Sequence, residues 1–228
     1  MSSGGRRAVG VFHSSVVIRH HPAMRYATAV RRLHTIAEDC DRHARFWEEP
    51  LVVAAYLYGD VLEGPDEIEH LQIALVIDLP PEEVTWWAEP PPAAAFAEVI
   101  GLGKVPVQWW WRPVLWPVWN HEIRGPVRFW SLDGPDEAAL EALAQRRFGE
   151  LHRLVPTPAE ELEQLEEELS ASLTHLRRVT ESYWDHEWRR DHRGLGVYPE
   201  HHLWRATKGY LDLVTAVDRR RARSPDPS

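Results

Sequence analysis

The sequence predicts an α+β fold: a four-stranded mixed sheet flanked by helices, followed by a C-terminal helical pair. Three patterns predict it. Two apolar runs of strand length, Val52 to Tyr58 and Leu71 to Leu79, are separated by Gly59-Asp60 and an acidic loop. A 4-3 apolar spacing precedes them, and a capped leucine repeat closes the chain. Both strands are apolar on successive residues, the mark of a strand covered on two faces.

Residues 1–22 carry Ser, Gly, Arg and His without a helical or strand period, which predicts a flexible extension with Met24 as a second start point. From Pro22 the stripe Tyr26, Val30, Leu33, Ala37, Cys40, Ala44, Trp47 predicts a helix that Pro50 ends. Cys40 lies in that stripe and reads as a small buried hydrophobe. In the second strand Leu71, Ile73, Leu75, Ile77 and Leu79 share one face, and His70, Gln72, Ala74, Val76 and Asp78 the other. Pro90-Pro91-Pro92 breaks the chain before a helix over Ala93–Ile100, which Gly101 and Gly103 close. Val105–Val114 is a third strand, and Pro113 and Pro117 place it at an edge. The Arg124-Gly125-Pro126 turn and a fourth strand over Val127–Leu132 predict an antiparallel hairpin with the third.

Asp133 to Glu137 opens a helix over Ala138–Leu151 with Pro135 at its start. Thr157-Pro158-Ala159-Glu160 is a capping box with Pro at the first helical position. Leu162, Leu165, Leu169, Leu173, Leu176, Thr180 and Tyr183 then predict a long helix reaching about Arg190. Gly194 and Gly196 end it. Pro199 starts a last helix with Leu203, Thr207, Tyr210, Leu211, Val214 and Val217 on its apolar side. Residues 219–228 form a basic, disordered tail. The domains are therefore an α+β unit over 23–152 and a helical region over 153–218.

Composition excludes several classes. A net charge of -9 argues against a general nucleic-acid binder. One cysteine excludes an intrachain disulfide and fits a reducing compartment. No apolar run approaches the roughly 20 residues that span a bilayer, so no membrane association is expected. The first residues lack the apolar core of a secretory signal, and a cytoplasmic location is expected. The phosphate loop, the dinucleotide glycine fingerprint, the nucleophile elbow and the Cys-rich zinc motif are absent.

Tyr56-Leu57-Tyr58-Gly59-Asp60, the loop Gly64 and His70-Leu71-Gln72-Ile73 resemble the nucleotidyltransferase fold. That family has a Gly-Ser turn, a short loop and Asp-x-Asp opening the next strand. The resemblance implies a ligand cleft at Gly59, Asp60, Glu67, Glu69, His70 and Gln72. The turn Ser is Asp60 here, and the paired metal-binding aspartates are His70 and Gln72. Mg²⁺ requires hard oxygen ligands, which an imidazole and an amide do not supply. The expectation is a catalytically degenerate protein, a pseudoenzyme that binds a nucleotide, small ligand or protein partner without a cofactor. The alternative is an active nucleotidyltransferase using Glu67, Glu69 and Asp78 with Mg²⁺. The Trp116-Pro117-Val118-Trp119-Asn120-His121 segment and the texture of the whole chain also resemble an uncharacterised bacterial family of unknown function.

Two further constellations stand out. His186, His192, His201 and His202 lie near the junction of the last helices and admit a second alternative, a His-based metalloenzyme. Half of the 12 Trp fall between Trp109 and Trp130. Most read as core with each indole N–H paired, and Trp116 and Trp119 as a protein-partner surface.

Overall fold

The computed structural model describes residues 23–104, 106–194 and 198–223. The flexible extension, the loop around Gly196 and the last five residues of the basic tail lie outside this range. A five-stranded mixed sheet forms the centre, one strand more than the sequence predicts. Its strands are β2 (Val52–Tyr58), β4 (Leu71–Ile77), β5 (Val107–Pro113), β6 (Val127–Ser131) and β7 (Gly134–Pro135), in the order β5-β4-β2-β6-β7. β1 (Met24–Arg25) and β3 (Glu67–Ile68) pair separately.

β2 and β4 are antiparallel neighbours, with Tyr58 opposite Gln72 and Ala55 opposite Leu75. The expected hairpin between the third and fourth strands does not form. β5 pairs in parallel with β4, and β6 pairs with β2 on the other side of the sheet. A parallel neighbour needs a long crossover, and α2 (Pro91–Val99) lies within the one between β4 and β5. β5 is an edge strand, as its prolines require.

Alternation on the central strands builds two cores. Leu71, Ile73, Leu75, Ile77, Trp109 and Trp111 face α1 (Tyr26–Ala44), α2 and α3 (Glu137–Ala144). Ala74, Val76 and Trp110 face the other way, toward Leu165 of α4 (Pro158–Ser182) and Leu213 and Val217 of α6 (Pro199–Arg223). The chain is thus three layers, with the sheet covered on both sides. Cys40 is 1% exposed, and burial raises its thiol pKa, so it packs as a hydrophobe.

The Thr157 capping box forms as predicted: the Thr157 hydroxyl accepts from Glu160 N–H, and the Glu160 carboxylate accepts from Thr157 N–H. Other boundaries move. α4 stops at Ser182, and α5 (His186–Gly194) begins anew, because the Asp185 carboxylate accepts from Trp188 N–H as a fresh N-cap. α3 ends at Ala144, where Arg146 takes a φ of 57°. Pro135 lies in β7 rather than in that helix. α6 runs to Arg223, so the first residues of the basic tail are helical. Its buried side is Ala206, Gly209, Leu213 and Val217, while Leu211 is exposed. Gly209 faces inward where the chain segment at Trp86 passes against it.

The tryptophans are mostly core. Trp110 stacks on Trp86 at 4.0 Å, and Trp109, Trp111 and Trp130 are buried. Among the described residues the indole N–H groups of Trp109, Trp111 and Trp130 have no acceptor, contrary to the expectation that each is paired. Trp116 is also buried, its indole donating to Glu167 at 2.8 Å, and Trp119 is half-buried. The expected Trp116/Trp119 surface is corrected accordingly. The large exposed aromatics lie elsewhere, among them Phe46, Trp47 and Trp184.

Candidate functional site

The turn after β2 comes first, because the sequence singles it out. Gly59 has a φ of 76°, a conformation that favours glycine. Its α-carbon lies against the side chain of Gln72: an added Cβ would sit 1.8 Å from Gln72 Oε1. That oxygen accepts from Asp60 N–H at 3.4 Å, and the Gln72 amide donates to Gln108 Oε1 at 3.4 Å. The structure therefore brings Gly59, Asp60 and Gln72 together, with Gln108 of β5 as an addition. The Gln72 amide fills the space beside the turn.

The acidic residues of the expected cleft are not drawn in. Glu67 and Glu69 flank the buried Ile68 and are exposed, as is Asp78 at the far end of β4. His70 is half-buried just before β4. The loop between turn and strand is tied down from the other side. Arg146 reaches Gly64 O and Asp66, and Arg153 reaches Leu62 O and Glu63. Glu63 and Asp66 thus already have guanidinium partners. Among the described residues, no group of three or more His, Cys, Asp or Glu side chains is placed to hold a metal ion.

A second cleft, about 270 Å³, opens where the helical region meets the segment between β4 and α2. It is built from that segment upward. Trp86 is buried in the core, and the next residue, Trp87, has a φ of 70°. A bulky residue in this region is an outlier, and strain of about 1–3 kcal/mol persists only where surroundings enforce it. Here α6 enforces it. Gly209 lets the Trp86 carbonyl approach so closely that an added Cβ would lie 2.0 Å from its oxygen. The Trp87 indole donates to Asp212 at 2.9 Å, and Asp212 also pairs with Lys208 at 2.6 Å. Glu89 then pairs with Arg205 at 2.6 Å, their side chains 8% and 12% exposed. Burial raises the Glu89 pKa, and the Arg205 guanidinium opposes that rise. Pro90 and Pro91 continue the wall into the first turn of α2.

The helices supply the opposite wall: His175, Arg178 and Val179 from α4, Trp188 and His192 from α5, and His202 from α6. The His192 ring lies 4.0 Å from that of Trp188 and 4.4 Å from that of His202. A carbonyl only accepts, so His192 Nδ1–H donates to Trp188 O at 2.7 Å, and His175 Nδ1–H donates to Glu82 O at 3.2 Å. In their neutral forms both rings keep Nε2 as a free acceptor. Burial, followed by the charges of His192, Arg205, His175 and His201, pulls the His202 pKa down to about 4. Burial likewise lowers that of His175, opposed by its bond to Glu82 O and reinforced by Arg178.

Of the four sequence-predicted histidines, His192 and His202 meet in this cleft. His186 is exposed at the start of α5, and His201 packs against Tyr198 at 5.6 Å; neither lines the cleft. Sequence reasoning missed His175, Arg178 and Glu89. His175, Val179 and Ser182 do recur at i, i+4, i+7 on α4, behind the leucine stripe. Nothing in the sequence points to Glu89 or to the strained Trp87. A larger cleft, about 440 Å³, lies between β6 and α3. Two of its charged side chains, Arg128 and Asp136, face one another at 4.0 Å, and it lacks the ring cluster of the smaller one.

Among the described residues, no helix is long and apolar enough to cross a membrane. The family described as Domain of unknown function (DUF7711) matches residues 24–219, and the chain belongs to that family. No curated protein and no solved structure matches it.

Proposed function

We propose that this member of the family is a non-catalytic binding module. Its sheet would be nucleotidyltransferase-like, with the metal-dependent chemistry lost, and its ligand would sit in the cleft between the 82–91 segment and α4–α6. The single observation carrying the reading is where polar groups are left unspent. At the turn, the Gln72 amide bonds Asp60 N–H and Gln108, and Glu67 and Glu69 are exposed. In the C-terminal cleft, imidazole nitrogens of His175, His192 and His202 have no hydrogen-bond partner among the described residues, and they lie beside Trp188. Pockets of a few hundred Å³ with an apolar lining and a few convergent polar groups are the usual form of a small-ligand site.

The test is a transfer assay with the four labelled ribonucleoside triphosphates and Mg²⁺. The expected result is no incorporation above that of a buffer control. Mg²⁺-dependent transfer abolished in Glu67→Gln/Glu69→Gln would replace this reading with the enzyme one.

A further inference from the structure

We propose that the C-terminal cleft takes an anionic head group, carboxylate or phosphate, carried on a flat apolar body. This rests on the reading above that the cleft is the ligand site. Three observations lead to the class of ligand.

The first is the balance of free charges. Arg178 lines the cleft and is exposed, and among the described residues its guanidinium has no ion pair or hydrogen bond. Of the carboxylates, Glu89 is already paired with Arg205, and Glu82 and Glu83 are exposed at the rim. The second is the field at the imidazoles. Besides burial, the groups acting on His202 are all basic side chains, His192, Arg205, His175 and His201, and none is a carboxylate. At His175 the acting charge is Arg178, since Glu82 engages it through its backbone carbonyl. An anion entering here meets the Arg178 guanidinium of α4 and favours protonation of the imidazoles beside it. The third is shape. Ala88, Pro90 and Pro91 give one wall an apolar surface, and Val179 and Trp188 add apolar surface to the helical wall that carries Arg178 and the rings. A flat body lies against these surfaces while its anionic end reaches Arg178 and the rings.

A consequence follows for protons. His202 is neutral at pH 7, its pKa held at about 4 in the free protein. A bound anion raises that value, so binding takes up a proton between the free and bound midpoints. Affinity therefore rises as pH falls through the bound midpoint and levels off below the free value of about 4.

The test follows the histidine ring Cε1–Hε1 resonances of the full chain by NMR during titration with benzoate, phenyl phosphate and benzamide. Benzamide has the shape of benzoate without the charge. The expected result is that benzoate or phenyl phosphate shifts the His202 and His175 signals and raises the His202 titration midpoint. The stronger of those two arms identifies the head group. Arg178→Met, at an exposed position, should weaken that binding at least tenfold, and Arg178→Lys should restore part of it. Benzamide binding as tightly as benzoate at the same rings would overturn the anionic class and leave the cleft as the ligand site. Silence of all three probes at these rings would overturn both.

Discussion

Two glycines show what a single residue decides. Gly59 and Gly209 both forbid a Cβ, for different reasons. At Gly59 the obstacle is the far end of the Gln72 side chain, which can swing away, plus the cost of a φ of 76°. At Gly209 the obstacle is the carbonyl of Trp86, which is backbone and held in the core. Gly59→Ala should therefore cost about 1–2 kcal/mol. Gly209→Ala should cost about 3 kcal/mol or more, although alanine normally gains about 1 kcal/mol over glycine inside a helix. Denaturant melts of the two variants check this, and a stabilised Gly209→Ala would show that α6 does not press on the Trp86 segment. Gly59 was legible as a turn residue from its place between two strands. Gly209 was not, because a glycine in a helix-period pattern does not reveal what crosses it.

Between elements, the link that matters most is the buried pair of Arg112 on β5 and Glu168 on α4. Both side chains are 1% exposed and 2.6 Å apart. Arg112 also donates to Pro117 O, and Gln164 donates to the same carboxylate oxygen of Glu168. Arg112→Met would leave a buried carboxylate without its cation, at a cost of about 3–5 kcal/mol. The double variant Arg112→Met/Glu168→Met should recover most of that loss, since an apolar pair of similar volume is often neutral. Thermal melts of the three proteins decide it; a double variant no better than the single would mean the ion pair itself holds β5 to α4. In the sequence, Glu168 falls among six glutamates between 160 and 168, a charge run that normally marks a solvated face. Periodicity places a residue on a face but does not say what packs there. The same blindness produced the β5–β6 hairpin. A short connection favours an antiparallel neighbour, but β4 and β2 offered the two outer strands separate partners. The split between α4 and α5 was missed because the apolar period continues through Tyr183, while the new cap at Asp185 interrupts the backbone.

At the scale of the molecule, the α+β class, the neighbouring Val52–Leu79 strands and the closing helices were all readable. Each rests on local patterns: two-face apolar runs, a capping box, a proline at a helix start. The ligand cleft was readable only in part. His192 and His202 were visible as histidines near the last helices, but the cleft needs the 82–91 segment, and only the tertiary fold brings it there. The central claim is that ligands bind in this cleft and not at the turn after β2. The most direct measurement is a thermal-shift screen of nucleotides and small organic anions, with and without Mg²⁺. It compares the wild type with Trp188→Ala/His202→Ala and with Glu67→Gln/Glu69→Gln. A ligand at about a hundred times its dissociation constant adds roughly 2.7 kcal/mol. The prediction is a Mg²⁺-independent shift that the cleft variant loses and the glutamate variant keeps. A Mg²⁺-dependent nucleotide shift that survives in the cleft variant and disappears in the glutamate variant would contradict it.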